Sequence, residues 1–105
     1  MLLASVFTGA HTATAHERLT PENQLISLRH IMEQAQTENE KEAAMTLIGQ
    51  TGTLQAMYYA GTYLQDKQVA EEAAEAIVAI ALKHPEYNGE WTRQLVQKSL
   101  KHLDK

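Results

Sequence analysis

Five histidines and two runs of carboxylates are the side chains in this sequence with the widest chemical reach. His11, His16, His30, His84 and His102 could each ligate a metal or carry a proton. A zinc helix of the H-E-x-x-H kind needs two imidazoles four apart on one face. His11 and His16 are five apart, and His16-Glu17 has no second imidazole downstream at the required spacing. His30, His84 and His102 fall on different predicted helices or helix ends, where the expected role is at the surface or against the helix dipole. A ligand set so dispersed needs a fold to gather it, so the sequence reads as having no metal site and no cofactor.

Glu38, Glu40 and Glu42 form one acidic run, and Glu71, Glu72 and Glu75 form another. Paired carboxylates can serve as general acid and base. Here both runs open predicted helices, where carboxylates meet the positive end of the helix dipole and face water. No Ser or Thr stands near a His and an acid in a nucleophile motif, no glycine-rich loop could cradle phosphate, and there is no cysteine to act as a thiol. No catalytic residue is assigned, and the chain is read as a non-enzyme.

Aromatic side chains offer recognition in place of reaction. Tyr59 and Tyr63 are four apart, a second apolar ridge beside the main stripe of their helix. Two roles fit them. In a stack of helices such a ridge packs on its neighbour; alternatively Tyr59, Tyr63, Tyr87 and Trp91 together make an exposed platform for a partner protein or a sugar ring.

The elements that must hold these residues are helices. The 105 residues suffice for one domain with a modest core, and 44% of them are hydrophobic. Nine basic against 13 acidic residues leave a net charge of -4, the wrong sign for a nucleic-acid binder. No apolar run approaches the roughly 20 residues of a membrane span. At the start, Leu2, Leu3, Val6, Phe7 and Ala10 recur at helical spacing. The alternative for this stretch is a cleaved or degenerate secretory signal, with Ala13-Thr14-Ala15 as its small-residue site, although no Lys or Arg precedes it.

From Thr20 onward the punctuation is regular. Thr20-Pro21-Glu22 combines a cap, a first-turn proline and an acid, and opens a helix with Leu25, Leu28, Met32 and Ala35 on one face. Thr37 and Glu40 have capping-box spacing ahead of a second helix, with Ala43, Ala44, Leu47 and Ile48 inside and a stop near Gly52. Thr53 restarts the pattern with Leu54, Met57, Tyr58, Gly61 and Leu64. Asp66 ends that run and is expected to cap a fourth helix carrying Val69, Ala73, Ala76, Ile77, Ile80 and Ala81. His84-Pro85 closes it, since proline disfavours helical geometry in the residue before it. After Asn88-Gly89, the residues Trp91, Leu95, Val96, Leu100 and Leu103 mark a last helix. Connections this short make consecutive helices antiparallel. Glu42-Ala43-Ala44 with Leu47-Ile48 echoes in Glu72-Ala73-Ala74 with Ile77-Val78, 30 residues on. An unrelated five-helix bundle is the competing architecture.

The stretch from Leu54 to Ala81 resembles a HEAT repeat: an apolar first helix, the turn Leu64-Gln65-Asp66, then Val69 and the alanine-rich Ala73, Ala74 and Ala76 with Ile77 and Ile80. Ala70 stands where the pattern usually has a basic residue, which removes the usual charge ladder between repeats. The segment from Thr20 onward is similar to the HEAT-like region beside 3-keto-disaccharide hydrolase domains in exported bacterial proteins. That resemblance implies an all-α right-handed αα-superhelix of five or six antiparallel helices, a HEAT/armadillo-like solenoid segment. It makes residues 20–105 a repeat core and residues 1–19 the end of a preceding repeat or a degenerate signal. It further implies a periplasmic or cell-envelope setting and an accessory role next to carbohydrate processing, with no hydrolase activity carried over.

The reading that follows is a non-catalytic helical-repeat scaffold that contacts protein surfaces, a neighbouring domain or another chain; packing on the adjacent repeat is the favoured role of the Tyr59 and Tyr63 ridge, and Tyr59, Tyr63, Tyr87 and Trp91 are the candidate contact residues if it is exposed. The alternatives are a sugar-binding accessory module and a small helical ligand-binding or enzymatic bundle. Terminal helices this apolar are expected to make the isolated segment self-associate or be only marginally stable.

Overall fold

The structure, a computed structural model, describes residues 20–104. The apolar stretch from Leu2 to Ala10, the Ala13-Thr14-Ala15 site, and His11 and His16 lie outside the described residues. Five helices follow in order: α1 (Pro21–Gln34), α2 (Glu38–Thr51), α3 (Leu54–Gly61), α4 (Ala70–Lys83) and α5 (Glu90–Leu103). Among the described residues there is no strand, and no helix is long and apolar enough to cross a membrane.

The three threonines start helices as their spacing foretells. The Thr20 hydroxyl accepts from the backbone N–H of Asn23 at 3.2 Å, with Pro21 in the first turn. Thr37 and Glu40 form a reciprocal capping box: Glu40 N–H donates to Thr37 Oγ1 at 3.1 Å and Thr37 N–H donates to Glu40 Oε1 at 3.2 Å. Thr53 accepts from Ala56 N–H at 2.9 Å and is itself buried. Such a cap satisfies backbone donors that a helix start leaves without partners, and losing one costs about 1 kcal/mol. Gly52 ends α2 with φ of 75°, a left-handed geometry that glycine adopts without a side-chain clash.

Asp66 behaves differently from expectation. After Gly61 the chain passes through tight turns in which Tyr63, Leu64 and Asp66 donate to carbonyls three residues back. Asp66 Oδ1 accepts from Gln68 N–H at 3.0 Å, an aspartate turn, while the residue that caps α4 is Val69, with no side-chain bond. Asp66 therefore shapes the approach to α4 four residues before the helix begins, and Lys41 Nζ reaches it from α2 at 3.4 Å.

The core is built around α4, which packs on α2, α3 and α5, while α1 lies on α2. Leu25 and Met32 of α1, Ala44, Met45 and Ile48 of α2, and Ala56, Met57 and Ala60 of α3 meet Leu64 and the Ala73, Ala74, Ala76, Ile77 and Ile80 face of α4. Alanines at the contacts let backbones come close. The tightest approach is α2 on α4, where a Cβ on Gly49 would fall 2.8 Å from Ala76 Cβ.

Two helices turn differently from the sequence expectation. In α2 the buried set is Ala44, Met45 and Ile48, while Ala43 is exposed and Leu47 is 48% exposed. At 100° per residue the stripe is shifted by one position, because α2 has α3 and α4 as well as α1 to face and Leu47 falls on the flank that none of them covers. In α5 the deepest residues are Thr92 and Ser99, with Leu95, Val96 and Leu103 half-buried and Trp91 and Leu100 exposed. Small hydroxylated residues seven apart let α5 settle on α4, and Ser99 Oγ donates to its own helix at Leu95 O, 2.7 Å away.

The 30-residue echo in the sequence does not align the buried faces of α2 and α4. An offset of 30 pairs exposed Leu47 with buried Ile77, whereas aligning the helix starts, Glu38 with Ala70, gives an offset of 32. That offset pairs Ala44, Met45 and Ile48 with Ala76, Ile77 and Ile80, all of them buried.

Candidate contact surface on helices α3 and α5

Helix α3 carries aromatic rings on two flanks, and the two flanks are finished differently. On the α1 side, Tyr59 and Tyr63 are half-buried against the core. Their rings meet edge to face with centroids 5.3 Å apart, and their hydroxyls are 3.0 Å apart in a hydrogen bond. The Arg29 guanidinium of α1 lies 5.2 Å from the centre of the Tyr59 ring, close enough for a cation–π contact. Burial, followed by the bond to Tyr63, pushes the Tyr59 phenol well above its ordinary range. It keeps its proton and acts as a packing group.

On the α5 side the rings stand bare. Trp91 is 70% exposed and Tyr58 is 42% exposed. Together with Gly61, Thr62, Leu95 and Lys98 they line an open cleft of about 470 Å³. Gly61 sets its depth, since a Cβ there would fall 2.8 Å from Leu95 Cδ2. Trp91, Leu95 and Lys98 follow one another by four and three residues, so one face of α5 presents an aromatic ring, an aliphatic group and a cation in line. Lys98 takes part in neither ion pair among the described residues, Lys41–Asp66 and His84–Glu86.

Of the four aromatics singled out in the sequence, the structure brings Tyr59 and Tyr63 together on the α1 side and sets Trp91 beside Tyr58 on the other. Tyr87 belongs to a third place, the corner between α4 and α5. Its ring stacks on His84 at 4.8 Å, and its hydroxyl donates to Gly52 O at 3.4 Å, tying this corner to the one between α2 and α3. Sequence reasoning assigned Tyr58 to the inner stripe and passed over Lys98. The four-and-three spacing of Trp91, Leu95 and Lys98 was the available signal.

The titratable groups elsewhere are spread. Among the described residues no three of His, Asp and Glu come together in a way that could hold a metal ion. His84 Nδ1 lies 3.0 Å from Glu86 Oε2, and this hydrogen bond lowers the Glu86 pKa. The Glu42 carboxyl is raised, chiefly by its hydrogen bond with Glu38, with burial and the charges of Glu72 and Glu38 adding to the effect. The two acidic runs thus meet across α2 and α4, on a surface away from the aromatic cleft.

No protein-family model, curated protein or solved structure matches the chain. What the chain does must therefore be argued from its own geometry.

Proposed function

We propose that the chain is a non-catalytic helical-repeat scaffold of the HEAT-like kind, which holds a protein surface against the cleft between α3 and α5. The observation that carries this reading is the exposed pair Trp91 and Tyr58, large side chains that leave the core and flank an open cleft. Tryptophan and tyrosine at such a place supply most of the binding energy of protein contacts, because they bury much area with few rotatable bonds.

The contacts between alternate helices support the repeat half of the reading. Arg29 of α1 meets Tyr59 of α3, and Gly61 of α3 meets Leu95 of α5. Gly49 of α2 meets Ala76 of α4. The α2–α4 contact is broad, whereas α1 with α3 and α3 with α5 touch narrowly, so it is the even layer that fits a two-layered stack of helical hairpins. In such a stack the outermost helices present apolar flanks to the next unit, which fits the exposure of Ile31, Leu47 and Leu100. An accessory place beside a carbohydrate-processing domain, in the periplasm or cell envelope, belongs to the same proposal through the HEAT-like resemblance.

A sugar-binding role is the second reading, favoured by the same bare rings, since an indole face stacks on a pyranose ring. Site-specific photocrosslinking separates the two. A benzophenone side chain at position 91, in the cells that encode the chain, is expected to give a discrete protein adduct, whereas the same group at Gln97, on the other side of α5, gives none. A correctly folded chain that forms no protein adduct at position 91 overturns the scaffold reading.

A further inference from the structure

The cleft between α3 and α5 has a polarity as well as a shape, and this allows its occupant to be described. Resting on the scaffold reading, we propose that the cleft takes a short acidic segment of a partner protein, with one apolar side chain seated between Tyr58 and Trp91 and a carboxylate paired with Lys98.

Three observations bear on the occupant. The first is the apolar end, where Trp91, Tyr58 and Leu95 surround a space that Gly61 keeps open. A leucine or an aromatic ring entering there gains roughly 25 cal/mol for each Å² it removes from water. The second is charge. Among the described residues Lys98 is the one lining the cleft that is charged at neutral pH, no carboxylate lines it, and Lys98 takes part in no ion pair. An acidic partner is therefore complemented and a basic one repelled, although the chain as a whole carries -4. The third is spacing. Trp91 and Lys98 lie seven residues apart on α5, about 10 Å along its axis. An extended strand advances about 3.3 Å per residue and turns every second side chain to the same face, so the matching carboxylate lies two or four residues from the anchor, within reach of the flexible lysine side chain.

The same lining weighs against a sugar. A pyranose is usually gripped by carboxylates or side-chain amides, and among the described residues the side-chain polar groups lining the cleft are the Thr62 hydroxyl, the Tyr58 phenol, the Trp91 indole N–H and the Lys98 ammonium, with no carboxylate or amide.

The experiment uses the full chain and four fluorescein-labelled peptides: an anchor with glutamates two and four residues on, the same anchor with lysines in those places, a peptide with alanine for the anchor, and a scrambled control. Fluorescence anisotropy is expected to give saturable binding of the first peptide with a Kd on the order of 100 μM. The lysine peptide should bind about fivefold more weakly, and the alanine peptide should not bind measurably. Lys98→Glu is expected to reverse the preference between the glutamate and lysine peptides, and Tyr58→Ala to abolish binding of both, with circular dichroism showing that each variant is folded. An unchanged preference in Lys98→Glu overturns the proposal. So does quenching of Trp91, the chain's one tryptophan, by a panel of neutral oligosaccharides but by none of the peptides. Concentration-dependent self-association that Trp91→Ala removes also overturns it, by assigning the cleft to a second copy. Protein crosslinks at position 91 without any preference for acidic peptides would leave the scaffold reading standing and sink this one alone.

Discussion

The two flanks of α3 start from similar material and end in different states. Tyr59 and Tyr63 on one side, and Tyr58 with Trp91 on the other, are aromatic pairs at a boundary between alternate helices. On the α1 side the pair bonds to itself and receives the Arg29 guanidinium. On the α5 side a glycine meets a leucine and the rings above them stay bare. Ring chemistry therefore does not decide whether an aromatic serves the core or a partner. The size and charge of the residues facing it do: a long cation reaching over Tyr59 completes one flank, and the missing side chain at Gly61 leaves the other open.

Two glycines test this reading most severely, since each has a neighbour that a new Cβ would meet at 2.8 Å. At Gly49 the obstacle is Ala76 Cβ with Ala76 Cα just behind it at 3.0 Å, so Gly49→Ala must push α2 and α4 apart. We expect a loss of about 2–3 kcal/mol. At Gly61 the obstacle is Cδ2 of a half-buried leucine, which can rotate, and the gain in helix propensity of ~1 kcal/mol offsets the adjustment. Gly61→Ala should leave stability within about 1 kcal/mol of the parent while narrowing the cleft. Chemical denaturation of both variants checks the pair, and equal losses would remove the distinction between closed and open flanks.

Alanine substitution of the rings themselves comes next in size. Tyr59→Ala removes a half-buried ring, its hydrogen bond to Tyr63 and its contact with Arg29, and should cost ~2 kcal/mol with a less cooperative melt. Trp91→Ala removes an indole that is mostly in water, and should change stability by no more than about 0.5 kcal/mol. The comparison breaks if Trp91→Ala destabilises as much as Tyr59→Ala, because the exposed ring would then be part of the fold.

Most of the helical framework was legible in the sequence, and the reason lies in local chemistry. Thr20, Thr37 and Thr53 cap because their hydroxyls reach the backbone three residues on, which depends on nothing distant. Gly52 ends α2 for an equally local reason. The side on which each helix is buried was harder to read, because α2 and α4 have several neighbours and an apolar stripe does not say how many. Leu47 and Leu100 match an inner pattern by type and are left outside by the absence of a covering helix among the described residues. Thr92 and Ser99 are buried although polar, since small size matters more than hydropathy where α5 approaches α4. Tyr58 was misplaced for the same reason, and with it went half of the cleft. Lys98 became meaningful only beside Trp91.

The smallest expected effects come from two carboxyls whose environments act in opposite directions. Glu86 is held below its ordinary pKa of 4.5 by its bond to His84, so between its folded pKa and 4.5 the unfolded chain binds more protons. Its contribution is fully present above 4.5 and is lost as the pH falls through the folded value. Glu42 is held above the same ordinary value by its bond with Glu38, so its ionisation disfavours the fold; that penalty is fully present above the raised value and gone below 4.5. Glu42→Gln should therefore raise the melting temperature slightly at pH 7 and converge on the parent as the pH falls to 4.5, while Glu86→Gln should lower it at pH 7 and converge only below 4.5, as the pH falls through the depressed folded value. Both groups are open to solvent, so the shifts will be small and weakened by salt. Their opposite signs are the test, read from thermal melts between about pH 3 and 7. Two variants moving in the same direction would mean that one of the two hydrogen bonds, His84 to Glu86 or Glu38 to Glu42, is not formed in solution.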